Sequence, residues 1–123
     1  MNEPEKLSKN FVRGEFRCKC GCGFDAVDWQ LVESLQMVRD TTGRPVVINS
    51  ACRCEAHNRA IGGKRYSQHL YGKAADIRIP GYTIPQVEAV INGIEAFRNG
   101  GIGVYKDFIH CDVRNTGKAR WNG

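Results

Sequence analysis

Ser67-Gln68-His69-Leu70-Tyr71-Gly72-Lys73-Ala74-Ala75-Asp76, or SQHLYGKAAD, is the stretch that decides how this chain is read. It begins as an irregular loop and ends as a strand, since Ala74 to Ile79 forms a short extended run closed by Pro80-Gly81. His69 stands in the loop part, and Asp76 stands at the entrance to the apolar run Ile77 to Ile79. One imidazole and one carboxylate do not make a site, so a third group of fitting chemistry is needed. The segment FIHCDV, Phe108 to Val113, supplies one. Side chains alternate along a strand, so Phe108, His110 and Asp112 share one face, with Ile109, Cys111 and Val113 on the other. The second set is the natural core face, which leaves His110 turned to a cleft or to solvent.

The rest of the chain reads outward from these two segments. DAVDWQLVESLQMVRDTTG puts Leu31, Leu35 and Val38 on one helical face with Val32 beside it, and Gly43 stops the helix. Arg44-Pro45 opens VVIN, a β-branched run that reads as a buried strand. A single helical turn over Glu55 to Ala60 ends at Gly62-Gly63. TIPQVEAVINGIEAF is a second helix, with a Thr83/Gln86 capping box, Pro85 in the first turn, and Val87, Val90, Ile91 and Ile94 on its apolar face. GIGVY and FIHCDV, separated by Lys106-Asp107, form a β-hairpin. Residues 1–14 are polar and read as a loosely ordered arm, and the tail RNTGKARWNG packs only through Trp121. Helix, strand, loop, strand, helix, strand, strand is the order of an α+β domain. The expected architecture is a small, mainly antiparallel sheet with helices packed on one side, in one domain over residues 15–123.

With 123 residues the chain is long enough for one real core. A net charge of +5 favours anionic surfaces such as cell-wall polymers. No apolar run approaches the ~20 residues needed to span a bilayer, and MNEPEKLSKNFVRGEF has no apolar centre of a signal peptide. Synthesis in the cytosol is therefore expected, with no membrane partner and a monomeric state. The six cysteines, Cys18, Cys20, Cys22, Cys52, Cys54 and Cys111, are then reduced thiols. Cys18, Cys20 and Cys22 with Cys52 or Cys54 have the softness and number for a structural metal, although C-x-C-x-C is not the usual knuckle spacing. The other reading is buried or idle thiols.

His69, Asp76 and His110 together make a different kind of candidate. Two imidazoles and a carboxylate leave zinc one open position, as in catalytic sites. The plain alternative is two ordinary polar histidines and an aspartate at a strand end. S-x-H-x-x-G-x-A-x-D over Ser67 to Asp76 resembles the signature of the zinc D-Ala-D-Ala carboxypeptidase family. That family includes phage endolysins that cut L-alanyl-D-glutamate bonds, and it shares a fold with the Hedgehog signalling domain. INSACR resembles the family strand ending in S-x-x-R, HNRAIGG precedes the signature as in short single-domain members, and GGIGVYKDFIHCDVR resembles the segment of the last ligand. The likeness runs from about Phe11 to Arg114.

The resemblance implies one catalytic zinc ion on His69, Asp76 and His110. It implies a general base at Asp107, three positions before the last ligand, where Glu is more usual. It also implies a cleft arginine, Arg53, that holds a substrate carboxylate or an oxyanion. Ser67 and Gln68 are implied substrate contacts. Asp112, on the same face as His110, is an acceptor that orients a ligand, a partner of Arg114, or a rival base. The expected function is a zinc metallopeptidase that hydrolyses bacterial peptidoglycan stem peptides with metal-activated water, as a carboxypeptidase or as an endolysin-type endopeptidase. Release to the wall would follow holin action or lysis. A non-catalytic zinc module that recognises cell wall or a protein is the alternative. Nucleic acid is not an expected partner, because no basic stripe or recognition helix accompanies the cysteines.

Overall fold

The alternation in the last apolar segment organises the whole molecule. The computed structural model describes residues 4–123. In chain order the elements are β1 (Lys6–Ser8), β2 (Phe11–Val12), a 3-10 turn (Arg13–Phe16), α1 (Trp29–Thr42), β3 (Val47–Ser50), α2 (Glu55–Ala60), a second 3-10 turn (Gln68–Tyr71), β4 (Ala74–Arg78), α3 (Ile84–Asn92), α4 (Glu95–Arg98), β5 (Gly101–Val104), β6 (Ile109–Asp112) and β7 (Ala119–Asn122). The main sheet has the order β3-β4-β6-β5-β7, antiparallel throughout except for the parallel pair β5–β7. The fold is α+β with a mainly antiparallel sheet, as the element order predicts.

Register separates the two faces. Ile77 lies opposite Ile109 and Ala75 opposite Cys111, while Ile102 faces Cys111 from the other side. These residues join Leu31, Val32, Leu35 and Val38 of α1 and Val87 and Ile91 of α3 in one core. Each such aliphatic side chain contributes roughly 1.5–3 kcal/mol by leaving water. Helices α1, α3 and α4 pack on one another, and α3 and α4 lie on β5 and β6. The opposite face of the sheet is therefore free of these helices. On it Asp76 lies opposite His110 and next to Ser50, and Ala74 lies opposite Asp112.

Local chemistry explains the boundaries. Asp28 caps α1 by accepting from the Gln30 N–H at 2.8 Å, and Gly43 closes it in the left-handed region. The Thr83/Gln86 capping box forms as the sequence predicts. The helix expected over 83–97 breaks into α3 and α4, because Gly93 is a poor helix residue and Ile94 is extended.

Two further expectations are corrected. The N-terminal segment is not a loose arm within the described residues. It folds into the β1–β2 hairpin, buries Phe11 in the core, and ties Ser8 to Gln36 of α1 at 2.7 Å; residues 1–3 lie outside the described residues. The tail does more than pack through Trp121: Ala119–Asn122 adds β7 to the sheet edge. It is only four residues long, with Ala119 and Trp121 on one face and Arg120 and Asn122 on the other, too short a run for alternation to mark it.

Candidate metal centre

Asp76 and His110 meet because β4 and β6 pair with these residues directly opposite. His69 joins them through a tight return. The Ser67 hydroxyl accepts from the His69 N–H at 3.2 Å and caps the 3-10 turn that holds the histidine. Gly72 then reverses the chain at φ 67°, and a Cβ there would overlap the Ala26 carbonyl. Seven residues after His69, Asp76 is therefore within reach of its Nε2.

The hydrogen bonds around the two rings determine which nitrogens are free. His69 Nδ1 lies 2.7 Å from the Ala51 carbonyl, which can only accept, so Nδ1 carries the proton and Nε2 presents its lone pair. His110 Nε2 lies 2.8 Å from Asp112 Oδ2. Asp112 is fully buried and receives the Gly101 N–H, the Arg114 N–H and the Arg114 guanidinium. It is therefore ionised and only accepts, so His110 presents the lone pair of Nδ1. Both free nitrogens point at Asp76 Oδ1, each at 3.1 Å. Two neutral imidazoles and a carboxylate thus aim acceptors at one point, and all three ligand atoms lie within 4.8 Å of one another. Such an arrangement calls for a proton or a cation at its centre. Its donor set, two nitrogens and one oxygen, fits zinc with a position left open.

The electrostatics agree. Burial alone would raise the Asp76 pKa, but the bonds and charges of His110 and His69 outweigh it and hold the carboxyl well below the ordinary range. Asp112 is held low against its burial by Arg114 and His110. Burial pushes His110 down, yet its bonds to Asp112 and Asp76 win and raise it. A pH profile follows for the metal-free protein. The aspartates are depressed, so their contribution is complete above their unfolded value near pH 4 and is lost as pH falls. His110 is raised, so its contribution is complete below about pH 6.5 and is lost as pH rises through its folded value. Urea midpoints should therefore peak between about pH 4 and 6.5. A midpoint that climbs from pH 6 to 8 would contradict this balance.

The centre opens into a cavity of ≈ 570 Å³, a size suited to a small ligand or a peptide end. Arg53, Ser67 and Gln68 line it. Arg53 is almost fully buried. Its guanidinium donates to Asn58 Oδ1 at 2.9 Å and to Ser50 Oγ at 3.4 Å, and stands 3.6 Å from Asp76 Oδ2. Its Nε has no partner among the described residues. A Cβ at Gly63 would overlap Asn58 Oδ1, so this glycine lets the Arg53–Asn58 pair lie close under the loop.

Asp107 is placed differently from its neighbours. It is exposed on the turn between β5 and β6, beside Phe108, which does line the cavity, and it is not itself a lining residue. Tyr66 lines the cavity whereas Tyr71 does not. Sequence reading missed Lys64, Tyr105, Arg114 and Arg120, and did not place Trp121 in the cavity wall. Trp121 lies against His110 with ring centres 4.9 Å apart and donates to the Tyr105 hydroxyl at 2.8 Å. These residues come from remote segments, so no spacing marks them. Four cations, Arg53, Lys64, Arg114 and Arg120, surround the cavity, with Asp76 as its one lining carboxylate among the described residues.

The chain resembles known proteins over the same segments. The Peptidase M15 family model matches residues 9–112. Over 65 residues, 50% of this chain, it is 42% identical to the probable peptidoglycan L,D-endopeptidase MepK of Haemophilus influenzae. That match covers 32% of the relative's own length.

Proposed function

The chain belongs to the Peptidase M15 family, and from that premise we propose that it is a zinc-dependent peptidase acting on the stem peptides of bacterial peptidoglycan. The observation that carries this reading is the convergence of three lone-pair donors, His69 Nε2, His110 Nδ1 and Asp76 Oδ1, at the floor of a basic cavity. Zinc bound there would polarise the scissile carbonyl and acidify water. The described residues supply the remaining parts. The four cations around the cavity suit a substrate rich in carboxylates, as stem peptides are. Arg53 keeps N–H donors beyond those given to Asn58, Ser50 and Asp76, and these hold a substrate carboxylate or the oxyanion. Trp121, Tyr105 and Phe108 form an apolar wall that limits water.

The proton is carried by Asp107 in this reading. Asp76 is engaged by two imidazoles, and Asp112 is sealed from solvent and saturated by donors. Neither can exchange a proton with water in the cavity. Asp107 has no hydrogen-bond or ion-pair partner among the described residues, sits on a turn next to the cavity wall, and takes the proton of the attacking water before giving it to the leaving amine. The L,D-endopeptidase name of the relative favours an endopeptidase, and a D,D-carboxypeptidase is the competing specificity.

Digestion of purified peptidoglycan, with fragments identified by mass spectrometry, tests the proposal. Cleavage should stop with a chelator and return with zinc, and the fragment masses name the bond. Asp107→Ala should lower kcat about 10²–10⁴-fold while leaving stability within about 0.5 kcal/mol, as for an exposed residue. No cleavage by folded, zinc-loaded protein would favour a binding module. Full activity in Asp107→Ala would remove that residue from the mechanism.

A further inference from the structure

A second group of metal-ligating side chains lies outside the catalytic cavity. Cys18, Cys20 and Cys22 sit on the loop between the first 3-10 turn and α1, and Cys54 caps α2. Their four sulfur atoms lie within 4.8 Å of one another. Cys18 and Cys20 are 3.5 Å apart, and Cys20 and Cys54 are 3.6 Å apart. A disulfide needs about 2.05 Å, so these are not bridges. A tetrahedron with zinc–sulfur bonds of about 2.3 Å has edges of about 3.8 Å, close to what is observed.

Two further features separate this group from idle thiols. Backbone donors are directed at the sulfurs: the Cys54 N–H at Cys18 at 3.4 Å, the Phe24 N–H at Cys22 at 3.5 Å and the His57 N–H at Cys54 at 3.4 Å. Such bonds stabilise thiolates more than thiols. The loop is otherwise closed by two backbone bonds, Cys18 N–H to Phe24 O at 2.8 Å and Gly21 N–H to Cys18 O at 3.3 Å. Lys19, Cys20, Gly21, Cys22 and Gly23 are all exposed, yet Cys20 and Cys22 turn toward Cys54, 34 and 32 residues away in sequence. Left-handed Gly21 and Gly23 allow the chain to wind so that alternate residues face one point. Cys52, the other partner considered from sequence, is excluded by geometry: it is buried in the core, and its N–H bonds Phe16 O at 3.0 Å.

We propose that Cys18, Cys20, Cys22 and Cys54 form a closed four-thiolate structural zinc site. Zinc replaces four thiol protons, which leave to solvent, and no electron transfer is involved. The ion staples the N-terminal region to the start of α2. Cys54 directly follows Arg53, so the staple also fixes the segment that carries the cavity's arginine. This site is independent of the catalytic reading, and the test keeps the two apart.

Native mass spectrometry and metal analysis on wild type and on the His69→Ala/His110→Ala double variant provide the count. Wild type should carry about two zinc ions per chain and the double variant about one. Cobalt-substituted wild type should show a thiolate-to-cobalt charge-transfer band in the near ultraviolet, lost in Cys20→Ser/Cys22→Ser. This spectrum needs no variant to fold, because wild type alone reports sulfur ligation. Stripping the metal should raise the number of thiols reactive to a colorimetric disulfide reagent. A double variant without metal and with freely reactive thiols would overturn the site. So would a mass deficit of two or four hydrogens marking disulfides among these cysteines, or a wild-type cobalt spectrum without the charge-transfer band.

Discussion

Asp76→Ala is expected to lose the metal at His69 and His110, to abolish peptide cleavage, and to destabilise the metal-free protein by about 3–5 kcal/mol. The carboxylate has two duties. It is the only anion in the three-residue cluster, so without it two neutral rings are left to hold a dication. It is also the charged partner of Arg53, 3.6 Å away and nearly as buried. Removing it strands a guanidinium that is already pushed below its ordinary pKa by burial. Urea unfolding of the metal-free proteins measures the second duty. The loss should shrink when Arg53 is first changed to Met, because no buried cation then remains unpaired. Equal losses in both backgrounds would show that the pair is not the source.

Asp112→Asn should be nearly as damaging, although it changes one atom. Donors surround the carboxylate. Oδ1 takes the Gly101 N–H at 2.8 Å and Arg114 Nε at 2.8 Å, and Oδ2 takes Arg114 Nη2 at 2.7 Å and His110 Nε2 at 2.8 Å. An amide NH₂ turned either way meets donors, so stability should fall by about 3 kcal/mol or more. Turned toward His110, it would also reverse the ring, placing the proton on Nδ1, the nitrogen proposed to hold the metal. Metal affinity should then fall about 10–100-fold. Zinc titration against a competing chelator reads the affinity, and thermal unfolding reads the stability. Unchanged zinc affinity would mean that Asp112 does not set the ring's tautomer.

Much of this centre was legible in the chain, for physical reasons that differ by residue. His110 was placed on the open face by strand alternation alone, and the register of β4 on β6 carried that face to Asp76. His69 stood out as an imidazole seven residues before a carboxylate, and its place in a known motif strengthened it, whereas Arg53 was legible only through such a resemblance. The cavity walls were not legible, because Lys64, Arg114, Arg120 and Trp121 come together through tertiary packing with no shared spacing. β7 escaped for a similar reason: a four-residue strand paired in parallel with β5, far from it in sequence, has too short a pattern to be read locally. The N-terminal hairpin was hidden by its polar composition, since one buried Phe11 and a few bonds to α1 suffice to hold it. The choice of Cys54 over Cys52 depended on which of two alternating residues turned inward, and only the packing of Cys52 beneath Phe16 decides that.

The direct opposition of Asp76 and His110 across β4 and β6 also bears on how such sites tolerate insertion. The excursion between these two residues, 34 positions apart in sequence, leaves the sheet after β4, forms α3 and α4, and returns through β5. Strand pairing sets where the excursion starts and ends, so its length has no bearing on the geometry of the ligands. Lengthening an exposed connection costs little, about 0.6 kcal/mol for each doubling of a flexible loop. New residues placed at the Pro80-Gly81 turn would thus leave both side chains facing each other. Sequence searches for relatives should accordingly hold the interval from His69 to Asp76 rigid and let the distance to the last histidine vary freely.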